Sequence, residues 1–193
     1  FTFGERRQTE AFFSRQIGIG PGGREIPILG GARMSGKVSD SLSVGLLNMQ
    51  TESVPGVAPA NNFTVARVRR DLPNRSNIGL LFVNRQATGD LAATDDHNRT
   101  YALDGRWGIG QNGLVSGFVS RTETPGLEGD DHAYNVVGTY NSEAWQLTLG
   151  YVEIADNFNP EVGFLRRRGF RNADVGVAYT FRPENFWKLQ EMR

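Results

Sequence analysis

The sequence predicts an all-β protein, an antiparallel meander of about nine long strands. Apolar and polar side chains alternate along most of the chain, and alternate side chains of a strand point to opposite faces. Short runs of Gly, Asn, Asp and Ser interrupt this alternation, and such residues form tight turns. Glycine is abundant, at 24 of 193 residues, as expected where strands bend and turn often.

The stretch from Asn98 to Thr124 shows the pattern most clearly. Residues 110–112 (Gly-Gln-Asn) have the composition of a hairpin turn between two alternating arms. Similar turns are predicted near residues 40, 74 and 142. In the first arm of this stretch the odd-numbered positions, one parity of the strand, are mainly apolar and include Tyr101, Leu103, Trp107 and Ile109.

The same reasoning divides the whole chain. Residues 1–27 show no sustained period and are predicted to be an irregular lead-in, residues 28–183 to be the meander, and residues 184–193 to be a short helical or frayed tail. The third strand alternates poorly, because arginines at 67, 69 and 70 crowd both faces. The predicted strands cover about 28–38, 42–52, 63–72, 77–86, 98–109, 113–124, 132–141, 145–155 and 174–182.

This meander has the features of an outer-membrane β-barrel. Strands of about ten residues suit a tilted crossing of a bilayer, whereas strands of soluble proteins are usually shorter. Short turns at one rim and long loops at the other are typical of these barrels, which look polar on average, and the mean hydropathy is −0.41. Aromatic residues near strand ends are candidates for interfacial girdles, namely Phe63, Tyr101, Trp107, Tyr134, Trp145, Tyr151 and Phe181.

A soluble antiparallel barrel or sandwich fits the same alternation. Its apolar parity would form the core and its polar parity would face water. In addition, nine strands cannot close a usual single-chain bacterial barrel, which has an even number. The odd number indicates that strands are missing from the segment, that other protein chains complete the sheet, or that the count is off by one.

Composition excludes several classes of protein. With 21 basic and 21 acidic residues, no net charge favours nucleic acid. The absence of cysteine excludes disulfides and thiolate metal sites. It fits a protein of a reducing compartment and an exported protein equally. No apolar run reaches the roughly 18 residues of a transmembrane helix. The chain begins at Phe1 without an initiator Met, so a removed signal peptide or a longer parent protein is expected.

Five stretches carry a family resemblance: Phe12–Gly18, Leu29–Gly36, Phe63–Asp71, Arg75–Gly79 and Ile154–Arg171. Together, in this order, they resemble a bacterial family in which a domain of unknown function follows a family-9 carbohydrate-binding-like module. The resemblance covers nearly the whole chain and implies an exported module followed by an outer-membrane barrel, with carbohydrate handling inferred from the module. The module itself is absent here and the barrel segment is shorter, so no sugar-binding residue carries over.

An arginine-rich loop is the first candidate site. Arginine binds carboxylates and phosphates bidentately, so this loop would contact anions or lipopolysaccharide, or line a pore constriction. Alternatively the loop is structural, folded into the lumen with its arginines paired to inward acids such as Asp104 and Asp174. The candidates for lumen or anion contacts are Arg166, Arg167, Arg168, Arg171, Asp104 and Arg106.

A weaker candidate is a repeated Asp-Asp-His run that precedes two strands. Carboxylates and histidines on neighbouring loops can bind calcium or a transition metal, although acidic loops also form simply as turns. Neither run has the ligand spacing of a calcium loop, so no metal and no cofactor are predicted. The runs are Asp95, Asp96 and His97, and Asp130, Asp131 and His132.

The sequence therefore favours an outer-membrane channel, transporter or scaffold. No catalytic residue is predicted, since the chain has neither a cysteine nor a nucleophile motif. The expected location is the bacterial outer membrane, with the periplasm or the cell exterior as alternatives. Expected partners are outer-membrane lipid or lipopolysaccharide, other protein chains that complete the sheet, and no nucleic acid. The alternatives are a soluble β-sheet subunit of a larger assembly and, from family context alone, a carbohydrate-active enzyme.

Overall fold

A computed structural model describes residues 9–181 of the chain. It confirms the predicted all-β fold, because nine long strands form one antiparallel sheet in chain order. Residues 1–8 of the predicted lead-in and the predicted tail, residues 184–193, lie outside the described part. The strands are β2 (Ile28–Ser39), β3 (Leu42–Thr51), β4 (Ala60–Leu72), β5 (Ser76–Thr88), β6 (His97–Ile109), β7 (Gly113–Glu123), β8 (His132–Asn141), β9 (Trp145–Ile154) and β11 (Phe170–Tyr179).

The sheet has two different rims and is not closed. Turns of two or three residues, at 40–41, 73–75, 110–112 and 142–144, form the short-turn rim, as predicted. The longer connections, at 52–59, 89–96, 124–131 and 155–169, form the long-loop rim. Within residues 9–181, the outermost strands, β2 and β11, pair only with their inner neighbours.

One face of the sheet, called here the packed face, is covered by two other segments. The first is the described part of the lead-in, with strand β1 (Thr9–Glu10) and two short 3-10 turns. The second is the connection from β9 to β11, residues 155–169, called here the strap. Its strand β10 (Phe164–Leu165) pairs with β1. The core lies between these segments and the sheet and includes Ala11, Phe12, Ile17, Leu47, Val65, Leu81, Val83, Phe118, Val152, Phe158 and Val162.

The opposite face, called here the open face, carries the predicted apolar parity. Its side chains are exposed rather than packed in the core, with Val175 at 72% and Trp107 at 60% relative exposure. The expectation for a soluble barrel, that this parity forms the core, therefore does not hold for the described chain. Other members are Met34, Val38, Leu46, Val68, Leu80, Tyr101, Leu103, Ile109, Val119, Val136, Tyr140, Trp145, Leu147, Leu149, Val177 and Tyr179.

The prediction that arginines crowd both faces of the third strand holds for its second half, where exposed arginines at 69 and 70 lie on opposite faces, whereas its first half alternates regularly. In β4 the residues Asn61, Phe63, Val65 and Arg67 are all buried on the packed face. Arg67 disturbed the sequence pattern because a charged residue occupies a position of the buried parity.

Within residues 9–181, no helix is long and apolar enough to cross a membrane.

Candidate functional site on the packed face

Arg85 is the centre of a polar network beneath the strap. It lies on β5 and points to the packed face, where its side chain is only 15% exposed. Its Nε donates to Glu161 Oε2 at 2.5 Å and its Nη2 donates to Asp96 Oδ1 at 2.6 Å. Its Nη1 donates to Asn61 Oδ1 at 3.0 Å. One guanidinium therefore joins β4, a rim loop and the strap, a use for which its fork of donors is suited.

Polar side chains of β6 and β7 bind the backbone of the strap. Asn98, which is 1% exposed, donates from Nδ2 to the carbonyl oxygen of Asn159 at 2.8 Å and accepts from the Glu161 N–H at 3.3 Å. The Asn159 N–H donates to Thr122 Oγ1 at 2.9 Å. Phe158, fully buried, is inserted beside these bonds. The strap is therefore anchored by satisfied buried polar groups and by an apolar side chain.

A second ion pair crosses three strands closer to the short-turn rim. Arg67 on β4 donates to both oxygens of Asp104 on β6, at 2.5 and 2.8 Å. The pair passes over Gly79 of β5, where an added Cβ would lie 2.6 Å from Arg67 Nη1 and 2.7 Å from Asp104 Oδ1. Glycine at this position thus leaves the space that the bidentate pair occupies.

The structure brings three of the four arginines of the predicted anion loop to one cleft and places the fourth elsewhere in the strap. Arg168 hydrogen-bonds the side chain of Asn159 within the strap. Arg167 lies over the ring of Phe170, with 5.5 Å from Cζ to the ring centroid. Arg166 is exposed, and it lines with Arg167 and Arg171 a cleft of about 570 Å³. Arg171 lies on the open face, where its Nε is 3.3 Å from Glu153 Oε2.

The inward acids have partners or neighbours other than these arginines. Asp104 pairs with Arg67, so it is not the counter-ion of the strap. Asp174 lies above Gly150, where an added Cβ would be 2.3 Å from its Oδ1. Arg106 shares the parity of Asp104 on β6 and is exposed. The predicted lumen candidates therefore fall into separate groups on the two faces.

The two Asp-Asp-His runs lie at the long-loop rim, and their members contact other residues. Asp96 pairs with Arg85, and Asp131 pairs with Arg121 at 3.0 Å. Each histidine lies near a glutamate at the end of the next strand, His97 at 3.6 Å from Glu123 and His132 at 3.5 Å from Glu153. In the described residues no three His, Asp or Glu side chains converge in a way that could hold a metal ion. The other two members, Asp95 and Asp130, adopt positive φ at 60° and 47°, which suits turn residues.

Sequence reasoning missed the residues that anchor the strap. Arg85 follows Leu81 and Val83 at the parity that is buried in β5. A charged residue in a run of inward apolar residues signals a buried partner, because an unpaired charge is costly to bury. The partner, Glu161, is 76 residues away in the sequence, so no local pattern identifies it.

Comparisons with protein-family models, with curated proteins and with solved structures find no match to this chain. The resemblance to a bacterial family that carries a carbohydrate-binding-like module therefore stays a prediction.

Proposed function

We propose that the chain forms part of the wall of a β-barrel in a bacterial outer membrane, as a channel, transporter or scaffold. The observation that carries this proposal is the open face. Its exposed apolar side chains lie side by side across the nine strands, from Met34 on β2 to Val175 on β11. Soluble monomers rarely expose a contiguous apolar surface of this extent, whereas lipid covers such a surface on membrane barrels.

Rows of aromatic rings border the apolar band on both sides. Near the short-turn rim, Trp145 and Tyr179 have ring centroids 4.8 Å apart. Toward the long-loop rim, Phe82 contacts Tyr101 at 5.3 Å. Tyrosine and tryptophan prefer the two membrane–water interfaces, where one part of the ring is apolar and the other wet. The two rows would then mark the upper and lower boundaries of the hydrocarbon layer.

Beyond the second aromatic row the open face becomes polar. On β3 and β4, Asn48 Nδ2 donates to Asn62 Oδ1 at 3.0 Å and to Thr64 Oγ1 at 2.9 Å. On β8 and β9, Glu153 accepts from the hydroxyl of Tyr134 at 2.7 Å and from that of Tyr151 at 2.9 Å. Such a belt suits the lipid headgroup level. It also orients the proposed wall, with the long-loop rim toward the cell exterior and the short turns toward the periplasm.

The packed face favours a plugged interior over a wide pore. The strap and the lead-in cover it near the long-loop rim, and the Arg85 network holds the strap in place. Nearer the short-turn rim it carries the Arg67–Asp104 pair and the exposed Arg106. The proposed lumen is therefore filled by the strap and the lead-in near the long-loop rim and lined by charged side chains near the short-turn rim.

A second candidate function is that of a soluble subunit whose open face is covered by another protein. In the part of the chain that the structure describes, both outer strands of the sheet have one free edge, which favours association with further polypeptide. The two candidates differ in what contacts Trp107 and Trp145, which are lipid tails in one case and protein in the other.

Quenching of tryptophan fluorescence by brominated lipids tests the proposal. The chain has three tryptophans, so Trp187→Phe with either Trp107→Phe or Trp145→Phe leaves one reporter on the open face. In lipid vesicles we expect bromines near the headgroups to quench either reporter more than bromines at the bilayer centre. As a control, Leu127→Trp is made in a variant whose three native tryptophans are replaced by Phe. Its only tryptophan then lies on a rim loop, which lipid bromines should not reach. Absence of quenching at both open-face positions would overturn the proposal.

A further inference from the structure

We propose that the free edges of β2 and β11 are joined by an odd number of further strands. These strands would be antiparallel to both edges and would come from polypeptide other than a second copy of residues 9–181. The need to pair both edges rests on the proposed membrane function, because backbone groups in lipid must be hydrogen-bonded within protein. The number and direction of the added strands rest on geometry alone.

The directions of the outer strands carry the inference. At the long-loop rim, β2 starts with Ile28 opposite Thr51 and β11 starts with Phe170 opposite Ile154. Both strands then run to the short-turn rim, where Tyr179 lies opposite Trp145. They are therefore parallel to each other. Direct closure would create the one parallel seam in an otherwise antiparallel wall, whereas an odd number of inserted strands makes every pairing antiparallel.

The described structure leaves these edges apart. All twelve residues of β2 are exposed, and β11 is exposed along most of its length. Each pairs with one neighbour, while the seven strands between them pair on both sides. Exposed edges of this length next to an apolar face are a template for another strand.

A second copy of the chain does not solve the problem. In a ring of two copies related by an axis along the membrane normal, all strands keep their direction. The β2 strand of one copy would then meet β11 of its partner in parallel orientation, and this would happen at both seams. Turning one copy over would restore antiparallel pairing, but it would place its long loops on the opposite side of the membrane.

The edges also define the chemistry of the missing strands. Their length should match the ten to twelve residues of β11 and β2, with apolar residues alternating on the open face next to Met34 and Val175. On the packed face, β2 presents Lys37, opposite in register to Ser43 of β3. An acidic side chain is therefore expected on the strand that pairs with β2, since opposite charges stabilise cross-strand pairs.

Cysteine pairs test this arrangement, because the chain has no cysteine of its own. In the protein in its native membranes, Met34→Cys is combined in turn with Ala173→Cys, Val175→Cys or Val177→Cys and treated with an oxidant or a short bismaleimide. We expect no cross-link in any of the three. The control pair Met34→Cys with Leu46→Cys joins residues that are neighbours in register and should cross-link fully.

Amide hydrogen exchange on the same membrane-embedded protein completes the test. We expect the amides of β2 and β11 to exchange as slowly as those of β5 and β6. An intramolecular β2–β11 cross-link would show direct closure, a cross-linked dimer would show a second copy, and fast exchange of the edges would show that they are unpaired. Each of these results overturns the inference. Lipid quenching of Trp107 and Trp145 reports separately on the proposed function.

Discussion

The two faces of the same nine strands differ in which side chains they bury and which they expose. On the packed face, charged side chains such as Arg67 and Arg85 are largely buried and each is paired with carboxylates. On the open face, large apolar side chains such as Trp107 and Val175 are mostly exposed. In a water-soluble protein most large apolar side chains are buried, as they are on the packed face. The proposed lipid environment accounts for this exposure, and the difference provides a measurable contrast between equivalent substitutions on the two faces.

The largest effect is expected from removing the buried ring of the strap. Phe158→Ala should lower the free energy of unfolding by about 3–5 kcal/mol, because the fully buried ring leaves a cavity that the anchored strap cannot fill. Phe164→Ala, in the same strap but 41% exposed, should cost about 1 kcal/mol. Urea unfolding of protein folded into lipid vesicles measures both. Equal losses would mean that the strap is not packed as described.

A charge on the open face should distinguish lipid from water. Leu149→Arg, near the middle of β9, should cost about 2–4 kcal/mol in lipid vesicles, although Leu149 is 61% exposed. Leu91→Arg, on a rim loop and 52% exposed, should change stability by no more than about 0.5 kcal/mol. Urea titration in vesicles provides the comparison. If both substitutions were equally harmless, the open face would not face lipid.

Removal of the Arg85 guanidinium should release the strap. Arg85→Met should cost about 2–3 kcal/mol, because Glu161 and Asp96 lose a partly buried charged donor. The matched change Arg121→Met removes a pair whose arginine is 72% exposed and should cost at most about 1 kcal/mol. Limited proteolysis should cut residues 155–169 of the first variant faster than those of the second. Equal resistance to proteolysis would contradict the anchoring role.

The smallest effect is expected where glycine lies beneath an ion pair. Gly79→Ala should cost about 1–2 kcal/mol, because the new Cβ displaces the Arg67–Asp104 pair. At Gly105, on the open face of the adjacent strand, an added Cβ meets only the carbonyl oxygen of Asn77 at 3.6 Å. Gly105→Ala should therefore be neutral or slightly stabilising. The urea midpoints of unfolding of the two variants measure the difference. An unchanged midpoint for Gly79→Ala would show that the Arg67–Asp104 pair moves aside without cost.

Much of the fold followed from the sequence because it depends on local patterns. Alternation predicted the nine long strands, and Gly, Asn and Ser predicted the four short turns. The start of β11 was predicted four residues too late, since Phe170–Ala173 have no alternation of their own and pair with Tyr151–Ile154 of β9. The interior of a paired strand can therefore be predicted more surely than an end that depends on its neighbour.

The packed face was much less predictable. Alternation separates two faces of a strand, but it does not say which face other segments of the chain will cover. Asp104 was expected to pair with the arginine-rich loop, and it pairs instead with Arg67, which is 37 residues away. The same holds for Arg85 and Glu161. Such contacts depend on how the sheet brings distant strands together, which no window of neighbouring residues contains.

The pairing of β1 with β10 has a consequence for the order in which the chain is assembled. It joins Thr9 and Glu10 to Leu165 and Phe164, near opposite ends of the described chain, whereas the strands of the nine-stranded sheet pair in chain order. Hairpins with short loops form early, and contacts between distant residues form slowly. During synthesis the lead-in is made before the sheet and the strap, and it can reach its partners only after the strap has emerged. The lead-in is thus made before the strap and is among the last segments to dock, and its apolar side chains stay uncovered until then.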